Sequence, residues 1–289
     1  MLDGNEIAAY LKRLGMPGQE PASLDYLFEL HKAHVERLSW QTIDIVAGKP
    51  APIDVKQSVE LLINGRSGYC FHLNGAFSEL LRSLGFRVFW HRAGVQRLES
   101  EPNINGYHLG LTVELPEESQ GQRWIVDAGL GDIPFEPIPL RHGVYAQDPL
   151  QYKVMPSTVD PNGWRLEHDP EATFVGVDYA AGDLRSLDEF LPKHEVYSRS
   201  PDSPWIRLLL VRQRHAAGSN ELRGCIWRKR DANGIKKEEL DTQSRWIEVL
   251  GDVFHEHLVD YAMAERDALW KQVRQTHEEW LRTQNNAAR

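Results

Sequence analysis

One of the two cysteines in the chain lies in a setting that favours chemistry. Cys70 follows the glycine-containing turn GRSG of residues 65–68 after one intervening tyrosine and begins a run that is predicted to be helical. A thiol at the start of a helix faces unpaired backbone N–H groups and the positive end of the helix dipole, which favour the thiolate. A cysteine that only fills a gap in the core is the other interpretation, and the local setting leaves both open. Cys225, inside the predicted strand LRGCIWRK, is interpreted as a packing residue.

A nucleophilic cysteine requires a base and a residue that orients the base, and these need to be neighbours only in space. His108 begins a predicted strand on the face opposite its apolar residues, and Asp127 ends another strand at the turn DAGLGD. Strand ends can converge on one site while the sheet fixes their geometry. A single strand-end histidine or turn aspartate is more often structural, so the residues alone make both only candidates.

Two periodicities organise the elements that position these side chains. The first 85 residues predict helices, and the helix that follows Cys70 carries an apolar stripe of Leu73, Phe77, Leu80, Leu81 and Leu84. Short aromatic and β-branched segments then predict strands at RVFWHRAGVQRL, YHLGLTVEL and RWIVDAGL. A hairpin is predicted from WIRLLLVRQR and LRGCIWRKRD, and the chain from residue 241 onward predicts helix. The pattern is helices first, a β-rich middle and a mixed α/β end.

The order and the flanks of these three residues resemble the arylamine N-acetyltransferases. The family signature around the nucleophile reads close to R-G-G-x-C-x-E-x-N, and Arg66, Gly68, Cys70 and Asn74 match it. GYHLGL resembles the family's histidine strand, and WIVDAGLG resembles its aspartate strand. YLKRLG, LHKAHVERLSWQTIDI and SRSPDSPW add further matches, so the resemblance covers nearly the whole chain.

The resemblance implies an α+β fold with three parts. These are an N-terminal helical bundle carrying the nucleophile (1–85), a β-barrel carrying the histidine and the aspartate (86–192) and a C-terminal α/β lid that ends in a helix (193–289). It also implies a cysteine-protease-like triad of Cys70, His108 and Asp127. The expected enzyme moves an acetyl or other short acyl group from acetyl-CoA to an arylamine, hydrazine or related amine through an acyl-cysteine, as in xenobiotic metabolism. Backbone N–H groups near Gly129 and Gly131 could contact the phosphates of coenzyme A, although a structural turn fits equally well.

Three residues depart from the family pattern. Ser67 replaces the first signature glycine, and Gln41 and His72 stand where the family has glutamates. The acid that pairs with Arg66 is left open. His72 is not favoured as the base, because a residue two positions along a helix points away from its neighbour. The lost carboxylates predict weak turnover of simple arylamines and hydrazines and acceptance of a bulkier or acid-bearing substrate; the alternative is that the family glutamates only brace the fold.

Three other functions remain open at this point. An amide synthase would use the same fold and triad to release a carrier-bound acyl or polyketide chain onto an amine. A cysteine hydrolase such as a peptidase or amidase would differ only in using water as the acceptor. A non-catalytic relative that binds acyl compounds is disfavoured by the intact triad.

Composition excludes several classes of partner and site. A net charge of −9 argues against a nucleic-acid surface, and no apolar run is long enough to span a membrane. The start of the chain has no signal-peptide pattern and two cysteines make no disulfide framework, so a cytoplasmic location is expected.

No histidine–cysteine cluster has metal-ligand spacing, and His255-Glu256-His257 is predicted to be a solvated helix surface. A partial heptad seam at Met263, Trp270 and His277 leaves both a monomer and a homodimer open, with packing of the helix on its own chain favoured.

Overall fold

The first third of the chain folds as helices around one apolar core. A computed structural model describes residues 1–115 and 121–287, the side chains of 284–287 excepted. The elements are α1 (Gly4–Arg13), α2 (Leu24–Arg37), β1 (Trp40–Gln41), α3 (Ile43–Val46), α4 (Val55–Ile63) and α5 (Cys70–Ser83). The stripe predicted on α5 is confirmed, because all five of its leucine and phenylalanine residues are buried. The chain leaves α5 through Gly85, whose φ of 96° favours glycine.

The middle of the chain forms an eight-stranded antiparallel sheet that curls into a nearly closed barrel. Its strands follow the order β5-β4-β3-β2-β9-β8-β7-β6. Their bounds are β2 (Arg87–Gln96), β3 (His108–Glu114), β4 (Arg123–Ile125), β5 (Ile138–Pro139), β6 (Gly143–Gln147), β7 (Leu150–Pro156), β8 (Trp164–Glu167) and β9 (Gly176–Tyr179). The predicted strand RWIVDAGL is shorter than expected, so Asp127 lies in irregular chain after β4. Strand β3 is buried on both faces rather than one, because α5 packs against it.

The last third combines a second sheet with three helices. It begins with α6 (Leu191–Arg199) and continues through β10 (Leu210–His215), β11 (Gly218–Arg223), β12 (Ile226–Asp231), β13 (Gly234–Glu239), α7 (Gln243–Asp252) and α8 (Met263–Ala287). The prediction of one strand over LRGCIWRKRD is wrong, because Gly224 adopts a φ of 60° and turns the chain between β11 and β12. Cys225 therefore lies in a tight turn, although it is fully buried as expected.

This second sheet is joined to the N-terminal part of the chain. Its order is β1-β10-β11-β12-β13, so a short strand from the first part of the chain forms its edge. Helix α8 packs on its own chain, where Leu269 and Val273 join the core beside Trp246. The predicted order of helices, barrel and mixed α/β end is confirmed, whereas the division at residues 85 and 192 stays a prediction. Within the described residues, no helix is long and apolar enough to cross a membrane.

The expectation for His255-Glu256-His257 is wrong. These residues lie in irregular chain after α7 rather than on a helix, and Glu256 is buried. The sequence pattern misled because alternating histidines and an acid are typical of a solvated surface, whereas the buried position is set by contacts with a distant part of the chain.

Candidate active site

Cys70 is the first residue of α5 and is delivered there by a tight turn. We call residues 65–69 the nucleophile turn; it begins at Gly65, whose φ of 84° is in the left-handed region. The thiol of Cys70 is buried and lies 3.8 Å from the backbone carbonyl of Tyr107, to which it donates. The predicted position of the cysteine at a helix start is confirmed. The thiol therefore sits beside the N–H groups that the first turn of a helix leaves unpaired.

Residues that depart from the family signature hold this turn in place. Gln41 donates from Nε2 to the carbonyl of Ser67 at 3.0 Å, and its backbone N–H donates to the carbonyl of Gly68 at 2.9 Å. His72 donates from Nε2 to the carbonyl of Ala51 at 3.1 Å and accepts the backbone N–H of the turn's last residue at 3.4 Å. Burial lowers the pKa of His72 to about 4, so its ring is neutral at physiological pH. Both ring nitrogens of His72 form hydrogen bonds with backbone groups, so His72 has no free nitrogen with which to exchange a proton with Cys70.

The partner of Arg66, left open by the sequence, consists of two carboxylates. Its guanidinium lies 2.9 Å from Asp44 and 3.2 Å from Asp260. Burial lowers the pKa of Arg66, but the charge and hydrogen bond of Asp44 more than offset this, with a further contribution from Asp260. The arginine thus links the nucleophile turn to α3 and to the chain that precedes α8.

His108 and Asp127 form a buried pair. Nε2 of His108 lies 2.5 Å from Oδ2 of Asp127, and both side chains are almost completely shielded from solvent. Burial lowers the pKa of His108, but the charge and hydrogen bond of Asp127, together with Cys70, raise it well above its ordinary value. The other ring nitrogen, Nδ1, is buried without a hydrogen-bond partner among the described residues. The structure therefore pairs His108 with Asp127, and Cys70 is near enough to contribute to the raised pKa of the His108 imidazole.

Asp127 is kept ionised by the donors that surround it. Besides His108, its carboxylate accepts from Asn74 at 2.8 Å, from the backbone N–H of Gly129 at 2.9 Å and from the Tyr179 hydroxyl at 2.8 Å. Burial raises the pKa of Asp127, but the charge and hydrogen bond of His108 and the bonds from Asn74 and Gly129 bring it below the ordinary value. The hydrogen bonds from these donors fix the orientation of the Asp127 carboxylate.

Of the donors to Asp127, the sequence indicated Asn74 but not Tyr179. Asn74 matches the signature, and it stands one helical turn after Cys70, where it also donates to the carbonyl of Leu109 at 2.6 Å and accepts the backbone N–H of Ala128 at 2.9 Å. It therefore joins the helix of the nucleophile to the strand of His108 and to the irregular chain that carries Asp127. Tyr179 was missed, because it comes from β9, more than fifty residues beyond Asp127, in chain that predicted only short strands.

Gly129 and Gly131 are buried where neighbouring protein atoms approach closely. A Cβ at residue 129 would lie 2.5 Å from Nδ2 of Asn74 and 3.1 Å from Cα of Cys70. A Cβ at residue 131 would lie 2.4 Å from Cβ of Arg212, and Gly131 has a φ of 72°. The absence of a side chain at each position thus has a packing reason, and their contact with coenzyme A stays a prediction.

Aromatic side chains from three parts of the chain pack together beside the backbone carbonyl that accepts from the Cys70 thiol. The rings of Tyr197 and Trp205 stack at 3.9 Å, and both contact the ring of Tyr69. The hydroxyl of Tyr197 donates at 3.4 Å to the carbonyl of Tyr107, which also accepts from the Cys70 thiol. Trp205 belongs to the SRSPDSPW motif, whereas nothing in the sequence singled out Tyr197. We call Tyr69, Tyr107, Tyr197 and Trp205 the aromatic wall.

The two cysteines are expected to differ in reactivity. Burial raises the pKa of Cys225 to about 11, whereas Cys70 lies near the His108 imidazole, whose pKa Asp127 raises. Iodoacetamide at neutral pH is expected to alkylate Cys70 first, which peptide mapping by mass spectrometry would show. Preferential labelling of Cys225 with Cys70 left unmodified would contradict the assignment of the nucleophile.

Comparison with known proteins shows the family to which this chain belongs. The N-acetyltransferase family model matches residues 23–262. The chain is 34% identical to the arylamine N-acetyltransferase of Escherichia coli over 42% of each protein, and 24% identical to the proansamycin X synthase of Amycolatopsis mediterranei over 52% of this chain and 58% of that one. The structure of the Mycobacterium marinum arylamine N-acetyltransferase in complex with CoA is 24% identical, with a TM-score of 0.81 over 92% of this chain and 98% of that chain. The chain belongs to the arylamine N-acetyltransferase family.

The family match and the fold match differ in what they support. The alignment to the E. coli relative spans less than half of that protein, whereas the structural matches extend over almost the whole of the solved chains. The predicted fold class is confirmed by these structural matches. At this level of identity the solved structures establish the fold alone, so the individual activity of this chain is argued from its own site.

Proposed function

We propose that the protein is an acyltransferase that moves an acetyl or other short acyl group from coenzyme A to an arylamine, a hydrazine or a related amine. The observation that carries the proposal is the buried His108–Asp127 pair at 2.5 Å, placed against a cysteine at the start of a helix. Membership of the arylamine N-acetyltransferase family supports acetyl transfer as the class of reaction.

In the first step, Cys70 takes the acyl group. His108 takes the proton of the thiol, and the charge of Asp127 stabilises the imidazolium that results. The thiolate attacks the carbonyl carbon of the acyl thioester, a new carbon–sulfur bond forms, and the bond to the sulfur of coenzyme A breaks. The departing thiolate takes the proton from His108, so a neutral imidazole and an acyl-cysteine remain.

In the second step, the amine takes the acyl group from Cys70. The amine nitrogen attacks the acyl carbon while the neutral imidazole of His108 accepts one of its protons. The bond to the cysteine sulfur then breaks, which restores the thiolate–imidazolium pair and releases the amide. In both steps the developing oxyanion can accept from the unpaired backbone N–H groups at the start of α5.

The surroundings of the thiol favour an aromatic acceptor. The aromatic wall presents ring faces and edges next to the carbonyl of Tyr107 that the Cys70 thiol contacts. Aromatic groups pack well against such surfaces in offset or edge-to-face arrangements. Gln41 and His72 are buried and bound to backbone groups of the turn, so their contacts support a bracing role rather than a direct effect on acceptor choice.

Intact-mass analysis tests the first step directly. The protein is mixed with acetyl-, propionyl- and malonyl-coenzyme A without an acceptor, and a gain of one acyl group on Cys70 is expected with at least one donor. Cys70→Ser is the matched control, because it keeps the shape of the site but lacks a thiolate. Absence of any acyl adduct on Cys70 with all three donors would contradict the proposal.

An acceptor panel then separates this function from the amide synthase. The similarity to a protein named proansamycin X synthase is the observation that supports the amide synthase as a second candidate. Aniline, hydrazine and aminobenzoate are each expected to discharge acetyl-Cys70. An acyl-cysteine that forms but resists all three acceptors would favour release of a carrier-bound chain, and rapid discharge by water alone would favour a cysteine hydrolase.

A further inference from the structure

The segment between α7 and α8 crosses back over the chain that leads to the nucleophile. We call residues 254–261 the strap. Its first residue accepts from the hydroxyl of Ser39, which donates to the carbonyl of Phe254 at 2.6 Å. At its other end the hydroxyl of Tyr261 donates to Oδ1 of Asp44 at 2.6 Å. The strap is therefore fixed at both ends to the part of the chain that precedes the nucleophile turn.

A carboxyl group in the middle of the strap points into the protein. Glu256 is 5% exposed, and its side chain accepts from the hydroxyl of Ser67, which is fully buried in the nucleophile turn. On either side of it, His255 and Leu258 have φ angles of 58° and 51°. Residues with a side chain adopt this left-handed conformation at a cost, so the strap bears local strain while Glu256 faces inward.

The environment makes this carboxyl costly to bury. The charged groups that face it come from three other elements, namely Arg13 at the end of α1, Asp44 of α3 and Arg66 of the nucleophile turn. Burial raises the pKa of Glu256 to about 8, against the opposing effects of the Ser67 hydrogen bond and the two arginines. A buried ionisable group that the acyl-transfer steps do not use requires another explanation.

We propose that Glu256 is a positioning residue for the nucleophile: by accepting from Ser67 it fixes the nucleophile turn and, through it, the direction of the Cys70 thiol. The proposal rests on the function proposed above only in taking Cys70 as the nucleophile. Ser67 comes three residues before Cys70, and Glu256 is the one acceptor of its hydroxyl within the described residues. A carboxyl oxygen accepts this bond whether or not the group is ionised.

Alkylation of Cys70 by iodoacetamide measures this positioning without any substrate. We expect Glu256→Ala and Ser67→Ala each to slow alkylation at neutral pH about tenfold, because a small displacement of the thiol from His108 lowers its reactivity. The matched control is Ser39→Ala, which removes a second fully buried serine hydroxyl bound to the same strap, but at Phe254 rather than Glu256. Ser39→Ala is expected to lower the melting temperature as Ser67→Ala does and to leave the alkylation rate unchanged.

Two further variants separate positioning from general stability. Glu256→Gln keeps a carbonyl oxygen that accepts from Ser67, so its alkylation rate is expected to stay within about twofold of the unmodified protein. The double variant Glu256→Ala with Ser67→Ala is expected to be no slower than either single variant, because both changes remove the same contact. If Glu256→Ala does not fold, Ser67→Ala and Glu256→Gln give the same comparison.

The pH dependence of stability provides an independent readout. A carboxyl whose pKa is raised on folding binds its proton more tightly in the native state than in the unfolded state. Glu256 therefore lowers stability progressively as the pH rises from the ordinary value of 4.5 to about 8. The melting temperature of Glu256→Gln is expected to fall less over this range than that of the unmodified protein.

The results that overturn the proposal are distinct from those that overturn the proposed function. Equal alkylation rates in Ser67→Ala, Ser39→Ala and the unmodified protein would show that the Glu256 contact does not position Cys70. Failure of acyl-coenzyme A to acylate Cys70, with the expected ranking of alkylation rates intact, would leave the positioning role standing and remove the acyl-transfer proposal.

Discussion

Replacing His108 or Asp127 is expected to abolish most acyl transfer while the protein still folds. His108→Gln keeps an amide N–H that can donate to Asp127 but cannot act as a base, and Asp127→Asn keeps the shape but not the charge. Each is expected to lower the rate of acyl transfer about a hundredfold or more. The measurement is the rate of acetyl-Cys70 formation from acetyl-coenzyme A, with circular dichroism as the check on folding.

The reason for the loss differs between the two variants, and a pH profile shows it. The charge of Asp127 counters the effect of burial on the His108 imidazole and raises its pKa. Without that charge the imidazole is neutral at physiological pH, and the Cys70 thiol loses its cationic partner. The alkylation profile of Cys70 in Asp127→Asn is therefore expected to shift to higher pH.

His72→Ala serves as the comparison for the base. His72 lies two residues from Cys70, but both of its ring nitrogens are bound to backbone groups, and burial keeps the ring neutral. The variant is expected to lower the melting temperature through loss of these bonds and to retain far more acyl transfer than His108→Gln. The opposite ranking would assign the base to His72 and contradict the roles proposed here.

Gly129→Ala is expected to cause the second large loss. The added methyl would lie 2.5 Å from the amide nitrogen of Asn74, which donates to Leu109 and Asp127, and 3.1 Å from Cα of Cys70. The loop that carries Asp127 must then move away from the helix that carries Cys70. A shift on the order of 1 Å is enough to lower acyl transfer about a hundredfold.

Gly75→Ala is the matched control, because it adds a methyl group to the helix that carries Cys70. Its added methyl would lie 3.6 Å from Leu187, an ordinary contact, and alanine favours a helix interior by about 0.5–1 kcal/mol relative to glycine. The variant is expected to keep its activity and to melt at the same or a higher temperature. Full activity in Gly129→Ala would show that the glycine is not required for the approach of the two elements.

The sequence by itself determined the positions of the main elements and the candidates for chemistry. The apolar stripe after Cys70 predicts α5, because apolar residues that recur at helical spacing within one segment indicate a helix with one buried face. Strand β3, which begins at His108, and the short strand β4, which ends two residues before Asp127, follow from the same kind of local pattern. The signature matches at Arg66 and Asn74 indicate two more residues of the site, although the side chains that they contact lie elsewhere in the chain.

Only the tertiary structure decided which distant residues complete the site. Tyr179 reaches Asp127 from β9, and Glu256 reaches Ser67 from the strap, across intervals that no local pattern records. A turn at Gly224 also divided a segment that predicted one strand, because a single residue with positive φ outweighs the strand propensity on both sides. Local periodicity reports which face of an element is buried, whereas the partner that covers this face is chosen by the packing of the whole chain.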